Sequence, residues 1–259
     1  MGANMIRINI LVWTISIFCL TGMISCAGSQ EKKINQARLT RSLGEAYMHQ
    51  GNYTEALKTL LKAEKIYPND HLLHNDLGLA YMAKERFNKS EFHFKKALEI
   101  RAEYAPAKNN LGTVYMAKQD WDTAIEQFKT VADDVLYATP HFPLTNIGIA
   151  YYHKQDYINA ERYYLDALDL EPSFVLALRG LGRTYVAMNK LPQAVAILEK
   201  GIQTAPQSAD LYLDLGNVYH MKGDTRKAMF AYQKVISLAP DTPNSEAAQK
   251  ELLKIESRQ

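Results

Sequence analysis

The chain has 259 residues, of which 47% are hydrophobic and 22% are charged, which is typical of a folded protein with a sizeable core and excludes a disordered chain. Its 30 lysine and arginine residues and 28 acidic residues are interspersed, and the formal net charge is only +2. Because a nucleic-acid-binding protein usually carries a basic patch, we predict no nucleic-acid partner.

The first element in chain order is an apolar segment near the N-terminus. Arg7 precedes an uncharged run over residues 8–20, and the chain turns polar after Cys26. A charged start, an apolar run and a small residue before the break are typical of a secretory signal peptide, predicted here over residues 1–25. As a helix, the run would be roughly 20 Å long, short of the ~30 Å hydrocarbon core of a bilayer. An uncleaved signal anchor is the alternative if the apolar stretch extends to Ile24.

Residues 23–26, Met-Ile-Ser-Cys, resemble a lipobox, in which the cysteine becomes the first mature residue and is acylated. The resemblance implies a lipoprotein with palmitate on Cys26, and Cys19 would leave with the signal peptide, so no disulfide is expected. Ala27 resembles the sorting choice for the outer membrane. We therefore expect a stable lipid anchor in the outer membrane, on its periplasmic side, with residues 26–36 as the lipidated cysteine and a flexible tether.

A pattern with a period of 34 residues occupies most of the remaining chain. Leucine or isoleucine precedes a glycine six times, and successive glycines are 34, 34, 36, 34 and 34 residues apart. The glycines are Gly44, Gly78, Gly112, Gly148, Gly182 and Gly216. A tyrosine follows each glycine after three residues, a small residue after twelve, and a bulky apolar residue after sixteen. Features that stay in phase over six units indicate an internal structural repeat.

This pattern is similar to the tetratricopeptide repeat (TPR). The resemblance implies an all-α fold, a TPR solenoid of six helix-turn-helix repeats, each with a helix A followed by a helix B. The repeats are predicted at residues 37–70, 71–104, 105–138, 141–174, 175–208 and 209–242. Residues 243–259 are predicted to form a C-terminal capping helix, with Ala248, Leu252 and Ile255 on its apolar face.

The residue types of the repeat have packing roles. We expect the glycine and the small residue to let helix A and helix B approach closely. The tyrosine and the bulky apolar residue are expected to fill the space between neighbouring repeats, because one repeat cannot bury its own apolar faces. Core packing accounts for this aromatic stripe, so no cofactor is predicted.

The family resemblance also implies a partner site, the concave surface lined by the A helices. The family's groove positions fall on amides, hydroxyls, methionines and one basic spot in this sequence. They are Asn75, Leu79, Met82, Asn109, Asn110, Thr113, Met116, Thr145, Asn146, Ile149, Tyr152, Arg179 and Arg183. The two arginines are four residues apart and share a helix face. They either bind a carboxylate of the partner or pair with neighbouring acids.

The one irregular spacing lies between the third and fourth repeats. Residues 133–143 contain two extra positions and two prolines, so the connection is longer and stiffer than the others. Loops carry function more often than cores do, but an insertion of this length can also be neutral.

Among TPR lipoproteins, the chain resembles the PilF/PilW family of type IV pilus biogenesis proteins. The residues that support this are Asn109–Gly112, the connection over residues 136–140 and Asn146–Gly148, together with the six-repeat count. The resemblance implies a protein partner, the secretin of the outer membrane, whose assembly would support the pilus. We expect a secretin segment to bind in the groove of the earlier repeats. The alternative is another envelope adaptor, for a cell-wall enzyme or for outer-membrane assembly.

An enzyme is the remote alternative. The sequence has no P-loop, Gly-x-Ser-x-Gly, His-Glu-x-x-His or dinucleotide fingerprint. His71 and His74 are three residues apart near Asp76, which approximates metal-ligand spacing, but no third ligand is evident. We therefore expect an ordinary surface pair there, and we predict no catalytic residue and no metal site.

Overall fold

The computed structural model describes residues 30–134 and 137–257. All regular secondary structure in these described ranges is helical. The predicted signal peptide and the acylation site at Cys26 lie outside the described residues. Within the described residues, no helix combines the length and the apolar character that spanning a membrane requires.

Thirteen helices occupy the described ranges, and they alternate as helix A and helix B before a final single helix. They are α1 (residues 30–49), α2 (Tyr53–Ile66), α3 (His71–Ala83), α4 (Phe87–Ile100), α5 (Ala105–Ala117), α6 (Trp121–Ala132), α7 (His141–His153), α8 (Tyr157–Leu170), α9 (Val175–Ala187), α10 (Leu191–Thr204), α11 (Ala209–Met221), α12 (Thr225–Leu238) and α13 (Pro243–Glu256). The predicted all-α class, with six helical hairpins and a C-terminal capping helix, is confirmed.

The described residues form two compact units, which we call unit 1 (up to residue 107) and unit 2 (from residue 108). In unit 1, α3 packs against α2 and α4. In unit 2, each helix from α6 to α12 packs against the next, and α13 covers α12 and α11. The A helices α7, α9 and α11 of unit 2 also contact one another in sequence, so they form a continuous face.

Part of the predicted tether is helical, which corrects the sequence-based expectation. Helix α1 begins at residue 30, so residues 30–36 belong to it. Their sequence, Gln-Glu-Lys-Lys-Ile-Asn-Gln, consists largely of good helix formers. Ala37 is only 3% exposed, so the following turn is fixed by packing and the helix extends backwards from it.

The bulky residue of each helix B packs within its own repeat, against the glycine of helix A. A Cβ placed on Gly78 would lie 2.5 Å from the ring of Phe94, and one on Gly148 would lie 2.8 Å from the ring of Tyr164. All six repeat glycines meet the bulky residue sixteen positions later in this way. The bulky side chain therefore occupies the space that the missing glycine side chain leaves, and Tyr164 also reaches Gly180 of the next repeat, in line with the expected packing between repeats.

Local sequence signals explain where the helices start. The side chains of Asp120, Asp156 and Asp224 each accept a hydrogen bond from the backbone N–H three residues later, at 3.2–3.3 Å. These bonds satisfy amides of α6, α8 and α12 that have no partner within the helix. Ser208 and Thr242 play the same part before α11 and α13.

The turn inside each hairpin contains one residue with a left-handed backbone. Glycine fills this position in the first and last repeats, with φ of 72° at Gly51 and 77° at Gly223. The other four repeats place a residue with a side chain there, at φ between 56° and 62°. They are Glu85, Gln119, Gln155 and Asn189. Side chains other than those of asparagine and aspartate rarely adopt this conformation, so the turns at Glu85, Gln119 and Gln155 hold backbone strain.

His71 and His74 of α3 do not form a surface pair, which corrects the expectation from their spacing in the sequence. His74 is fully buried, while His71 is half-buried and faces elsewhere, with its ring 4.8 Å from that of Tyr104. Asp76 is also buried, 3.6 Å from the Arg41 guanidinium. Burial, together with the nearby Glu45 carboxylate, raises the pKa of Asp76. The side chains of the two histidines leave α3 in different directions, so they do not act as a pair.

Candidate partner-binding groove

A concave pocket lies in unit 2 on the face of the A helices α7 and α9. Four of its lining side chains are among the predicted groove residues, and three of the other four come from the same two helices. The lining residues are Ile149, Tyr152, His153, Tyr164, Leu176, Arg179, Gly180 and Arg183. We call this pocket the α7–α9 groove. Because α7 and α9 pack side by side, residues 30 positions apart in sequence meet in it.

The two arginines of the groove have different surroundings. Arg179 donates from Nε to Asp214 Oδ2 at 2.6 Å, and its Nη2 lies 3.1 Å from Asp210 Oδ1. Both acids belong to α11, the next A helix. Burial raises the pKa of Asp214, and the hydrogen bond from Arg179 opposes that rise. Arg179 therefore follows the second of the two alternatives, pairing with neighbouring acids.

Arg183 is placed to meet a ligand. Its guanidinium lies over the ring of Tyr152, 5.4 Å from the centroid, and the residue is exposed. It forms no ion pair with any acid in the described part of the chain. Stacking on an aromatic face orients a guanidinium and leaves its N–H groups directed outwards. Arg183 can therefore donate two parallel hydrogen bonds to a carboxylate of a partner.

The floor of the groove is apolar. Tyr164, from helix α8, is 2% exposed, and burial raises the pKa of its phenol. A Cβ on Gly180 would lie 2.4 Å from the Tyr164 ring, so this ring lies directly beneath a glycine of the next repeat. Leu176 is 46% exposed at the edge. The groove thus presents an apolar surface beside one unpaired cation.

Sequence reasoning missed His153, Tyr164, Leu176 and Gly180. Gly180 had a detectable signal, because a glycine in a helix interior costs about 1 kcal/mol relative to alanine and this one lies outside the repeat position. Its presence indicates a close approach of another group. Tyr164 was assigned to the core, correctly, but its ring also forms the base of the groove.

Two predicted groove residues are buried and do not lie on an open surface of the described chain. Thr145 is fully buried, and its hydroxyl donates to the His141 carbonyl at 2.8 Å. Asn75 is 6% exposed.

The remaining predicted residues are half-buried and lie on three A helices. Helix α3 carries Leu79 and Met82, and α7 carries Asn146. Helix α5 carries Asn109, Asn110, Thr113 and Met116, and the Thr113 hydroxyl donates to the Asn109 carbonyl at 3.2 Å. These residues belong to the A helices as predicted, but the α7–α9 groove does not include them.

The lengthened connection before α7 ends in an aromatic cluster. The rings of His141, Phe142 and Phe174 lie 4.5–5.0 Å apart in pairs. Phe174 precedes α9, so this cluster joins the starts of α7 and α9 and supports the groove from one end. Residues 135 and 136 of this connection lie outside the described residues.

Known repeat families match this chain in sequence. A model described as "TPR repeat" matches residues 44–85 and 182–223, and one described as "Tetratricopeptide repeat" matches residues 73–104, 144–174 and 209–242. Together the matches cover more than half of the chain. The chain belongs to the tetratricopeptide repeat family. Repeats of this family form scaffolds for protein–protein interaction, and the groove of this TPR protein lies on the A-helix face where such scaffolds bind.

Solved structures share the TPR fold over most of their length. The crystal structure of PilW, a type IV pilus biogenesis factor, has a TM-score of 0.76 and 21% identity, covering 82% of this chain and 98% of that one. The pilF protein of Pseudomonas aeruginosa has a TM-score of 0.71 and 20% identity, covering 84% and 99%. These likenesses establish the fold.

Curated relatives match this TPR protein over shorter segments. The BBSome complex member BBS4 of Xenopus tropicalis is 28% identical over 122 residues, which is 47% of this chain and 23% of the relative. The chain spans less than a quarter of the length of the curated relatives that it matches. What this chain shares with these relatives is therefore the tetratricopeptide repeat itself.

Proposed function

We propose that this TPR protein is an outer-membrane lipoprotein that acts as an adaptor in type IV pilus biogenesis, binding a segment of the secretin in the α7–α9 groove. The observation that carries the pilus assignment is the shared fold with PilW over 98% of the length of that pilus biogenesis factor. The groove supplies the binding chemistry. We therefore propose this groove, and not the earlier repeats, as the site of the secretin segment, because the α7–α9 groove lies in the fourth and fifth repeats.

The groove defines the chemistry of the partner segment. Arg183 is exposed and stacked on Tyr152, so it selects a carboxylate. Ile149 and Leu176 lie beside it and favour an apolar side chain. Arg179 stays paired with Asp210 and Asp214. These acids repel a second carboxylate at the Arg179 end of the groove. The segment that fits carries one acidic residue next to apolar ones.

Anchoring is the second part of the proposal. Acylation of Cys26 would hold the mature protein at the outer membrane, where an assembling secretin would meet it. Mass spectrometry of the purified protein tests this directly, because an N-terminus at an acylated Cys26 supports the anchor. An intact N-terminal Met1, or an unmodified Cys26 within a longer chain, contradicts it. Cys26→Ser provides the matched control.

The pilus role is tested in cells that lack the protein. We expect heat-stable secretin multimers and surface pili to decrease, and expression of the wild-type chain to restore both. The Arg183→Gln variant should restore them poorly, whereas Arg162→Gln should restore them fully. Arg162 is the matched control, since it stacks on Tyr163 at 4.6 Å but lies outside the groove.

Capture from membranes separates the proposed partner from other envelope proteins. The acylated protein should retain the secretin, and Arg183→Gln should retain less of it. Unchanged secretin multimers in the deletion strain, together with capture of a cell-wall hydrolase or an outer-membrane assembly factor, would replace the pilus role by the other adaptor role. The groove assignment would survive that result if capture still depended on Arg183.

A further inference from the structure

Three helices of unit 1 bring metal-ligating side chains together inside the protein. Glu64 comes from α2, His74 from α3 and His93 from α4. The Nδ1 atoms of the two histidines are 3.1 Å apart, and the Glu64 Oε1 lies 3.9 Å from His74 Nδ1. One ligand atom from each residue lies within 4.8 Å of the others. His74 is fully buried and His93 is 6% exposed, so ordinary surface scatter does not account for the cluster.

The orientation of His74 is fixed by a bond on its other side. Its Nε2 lies 2.8 Å from the carbonyl oxygen of Pro68. A carbonyl can only accept, so Nε2 carries a proton and donates it. In the neutral ring, Nδ1 then carries a lone pair, and this lone pair is directed at His93 and Glu64. Histidines that bind metals are commonly held in this way, with the second ring nitrogen donating to a backbone carbonyl.

The distance between the two histidine nitrogens suits a tetrahedral centre, and the Glu64 carboxylate, 3.9 Å from His74 Nδ1, joins it after a small movement of its side chain. Zinc–nitrogen bonds of 2.0–2.1 Å at the tetrahedral angle place two nitrogen ligands about 3.3 Å apart, close to the 3.1 Å between the two Nδ1 atoms. A carboxylate with two imidazoles is a donor set that zinc takes readily. A single proton shared between the two rings would also explain their contact, but it would give no role to the third converging ligand, Glu64.

We propose that unit 1 binds one Zn²⁺ ion through Glu64 Oε1, His74 Nδ1 and His93 Nδ1. The Glu64 side chain is 28% exposed, which provides an entry path and leaves the fourth position to water. The ion joins α2, α3 and α4, which belong to two successive repeats. Its binding therefore stabilises the packing of the first repeat on the second, because a metal that binds only the folded state adds its binding free energy to folding.

The test uses the untagged full chain after removal of metals with a chelator. Titration with Co²⁺ should produce the intense visible d–d bands of a tetrahedral centre, saturating at one ion per chain, and Zn²⁺ should abolish them. Zn²⁺ at about one hundred times its Kd should raise Tm by roughly 5–10 °C. Absence of both signals would mean that the two rings share a proton and that the site is not a metal site.

Two variants and one control locate the ion. Glu64→Gln keeps the shape of a partly exposed residue, and it should weaken Zn²⁺ binding at least about tenfold without changing the Tm of the metal-free protein. Glu55→Gln is the matched control, since it makes the same change on the same helix at a residue paired only with Lys58, and it should bind like the wild type. His93→Gln should abolish the Co²⁺ bands. Wild-type affinity in both Glu64→Gln and His93→Gln would place the ion elsewhere and overturn the proposal.

Discussion

The Arg183 guanidinium lies over the Tyr152 ring, 5.4 Å from its centroid, and these two residues come from neighbouring A helices of unit 2. The tyrosine orients the guanidinium without neutralising it. We therefore expect Arg183→Gln to weaken binding of an acidic secretin peptide by at least about tenfold, because a charged bidentate hydrogen bond is lost. Isothermal titration calorimetry measures the change, and wild-type binding should weaken with added salt.

The stability of the protein should be unaffected by this substitution, because Arg183 is exposed and forms no described ion pair. Arg162→Gln removes a comparable arginine–tyrosine stack outside the groove and should leave binding unchanged. Equal losses in the two variants would show that general positive charge, and not the groove, attracts the peptide.

Gly180 is required by the ring beneath it. A Cβ at this position would lie 2.4 Å from Tyr164, whose side chain is buried. We expect Gly180→Ala to destabilise the protein by about 1–2 kcal/mol, since overpacking exceeds the gain in helix propensity. Urea unfolding measures this.

Gly201→Ala is the control for Gly180→Ala. Its Cβ would meet the flexible end of Leu211 at 3.1 Å, so the neighbour can adjust and the effect should be closer to zero. A stabilised Gly180→Ala variant would show that Tyr164 moves easily, and the floor of the groove would then be adaptable.

The hairpin turns predict a stabilising substitution. Gln119 has φ of 61° at the position that glycine occupies in the first and last repeats. Gln119→Gly should increase the free energy of unfolding by about 0.5–1 kcal/mol, because the relief of left-handed strain exceeds the added entropy of the unfolded chain. The reverse exchange, Gly223→Gln, should have the opposite sign, and equal signs in the two variants would contradict the argument.

The pair of Arg179 and Asp214 predicts a pH dependence. Burial raises the pKa of Asp214, so the folded state keeps its proton to a higher pH than the unfolded state does. Stability from this group therefore falls as pH rises from its ordinary pKa of about 3.9 through the folded value. Arg179→Met removes the hydrogen bond that opposes the rise. We expect the variant to lose stability relative to the wild type, and to lose more at about pH 8 than at about pH 5.

Two other charges act on Asp214, since Arg183 lowers its pKa and Asp210 raises it, and both remain in the variant. The double variant Arg179→Met/Asp214→Asn isolates the effect, because it should lose the extra pH dependence. Chemical unfolding across this pH range measures all three proteins. A loss that is independent of pH would assign the role of Arg179 to packing instead.

The sequence by itself determined the helices, their pairing into six hairpins and the close approach of helix A and helix B at the repeat glycine. It could do so because these features depend on signals within one 34-residue repeat: the glycine, the tyrosine, the small residue and the bulky apolar residue at fixed spacing. It also indicated that Ile149, Tyr152, Arg179 and Arg183 belong to one surface, since a repeat places equivalent positions on the same face.

Only the tertiary structure distinguished Arg179 from Arg183. The two arginines share a helix face, and both are predicted groove residues. In the structure, Asp214 of α11 pairs with Arg179, whereas Arg183 lies over Tyr152. The tertiary structure likewise brought His74 to His93, nineteen residues later. The physical reason is the same in both cases: a charge or a ligand is defined by its neighbours, and neighbours on different helices meet only through the rotation and separation at which those helices pack.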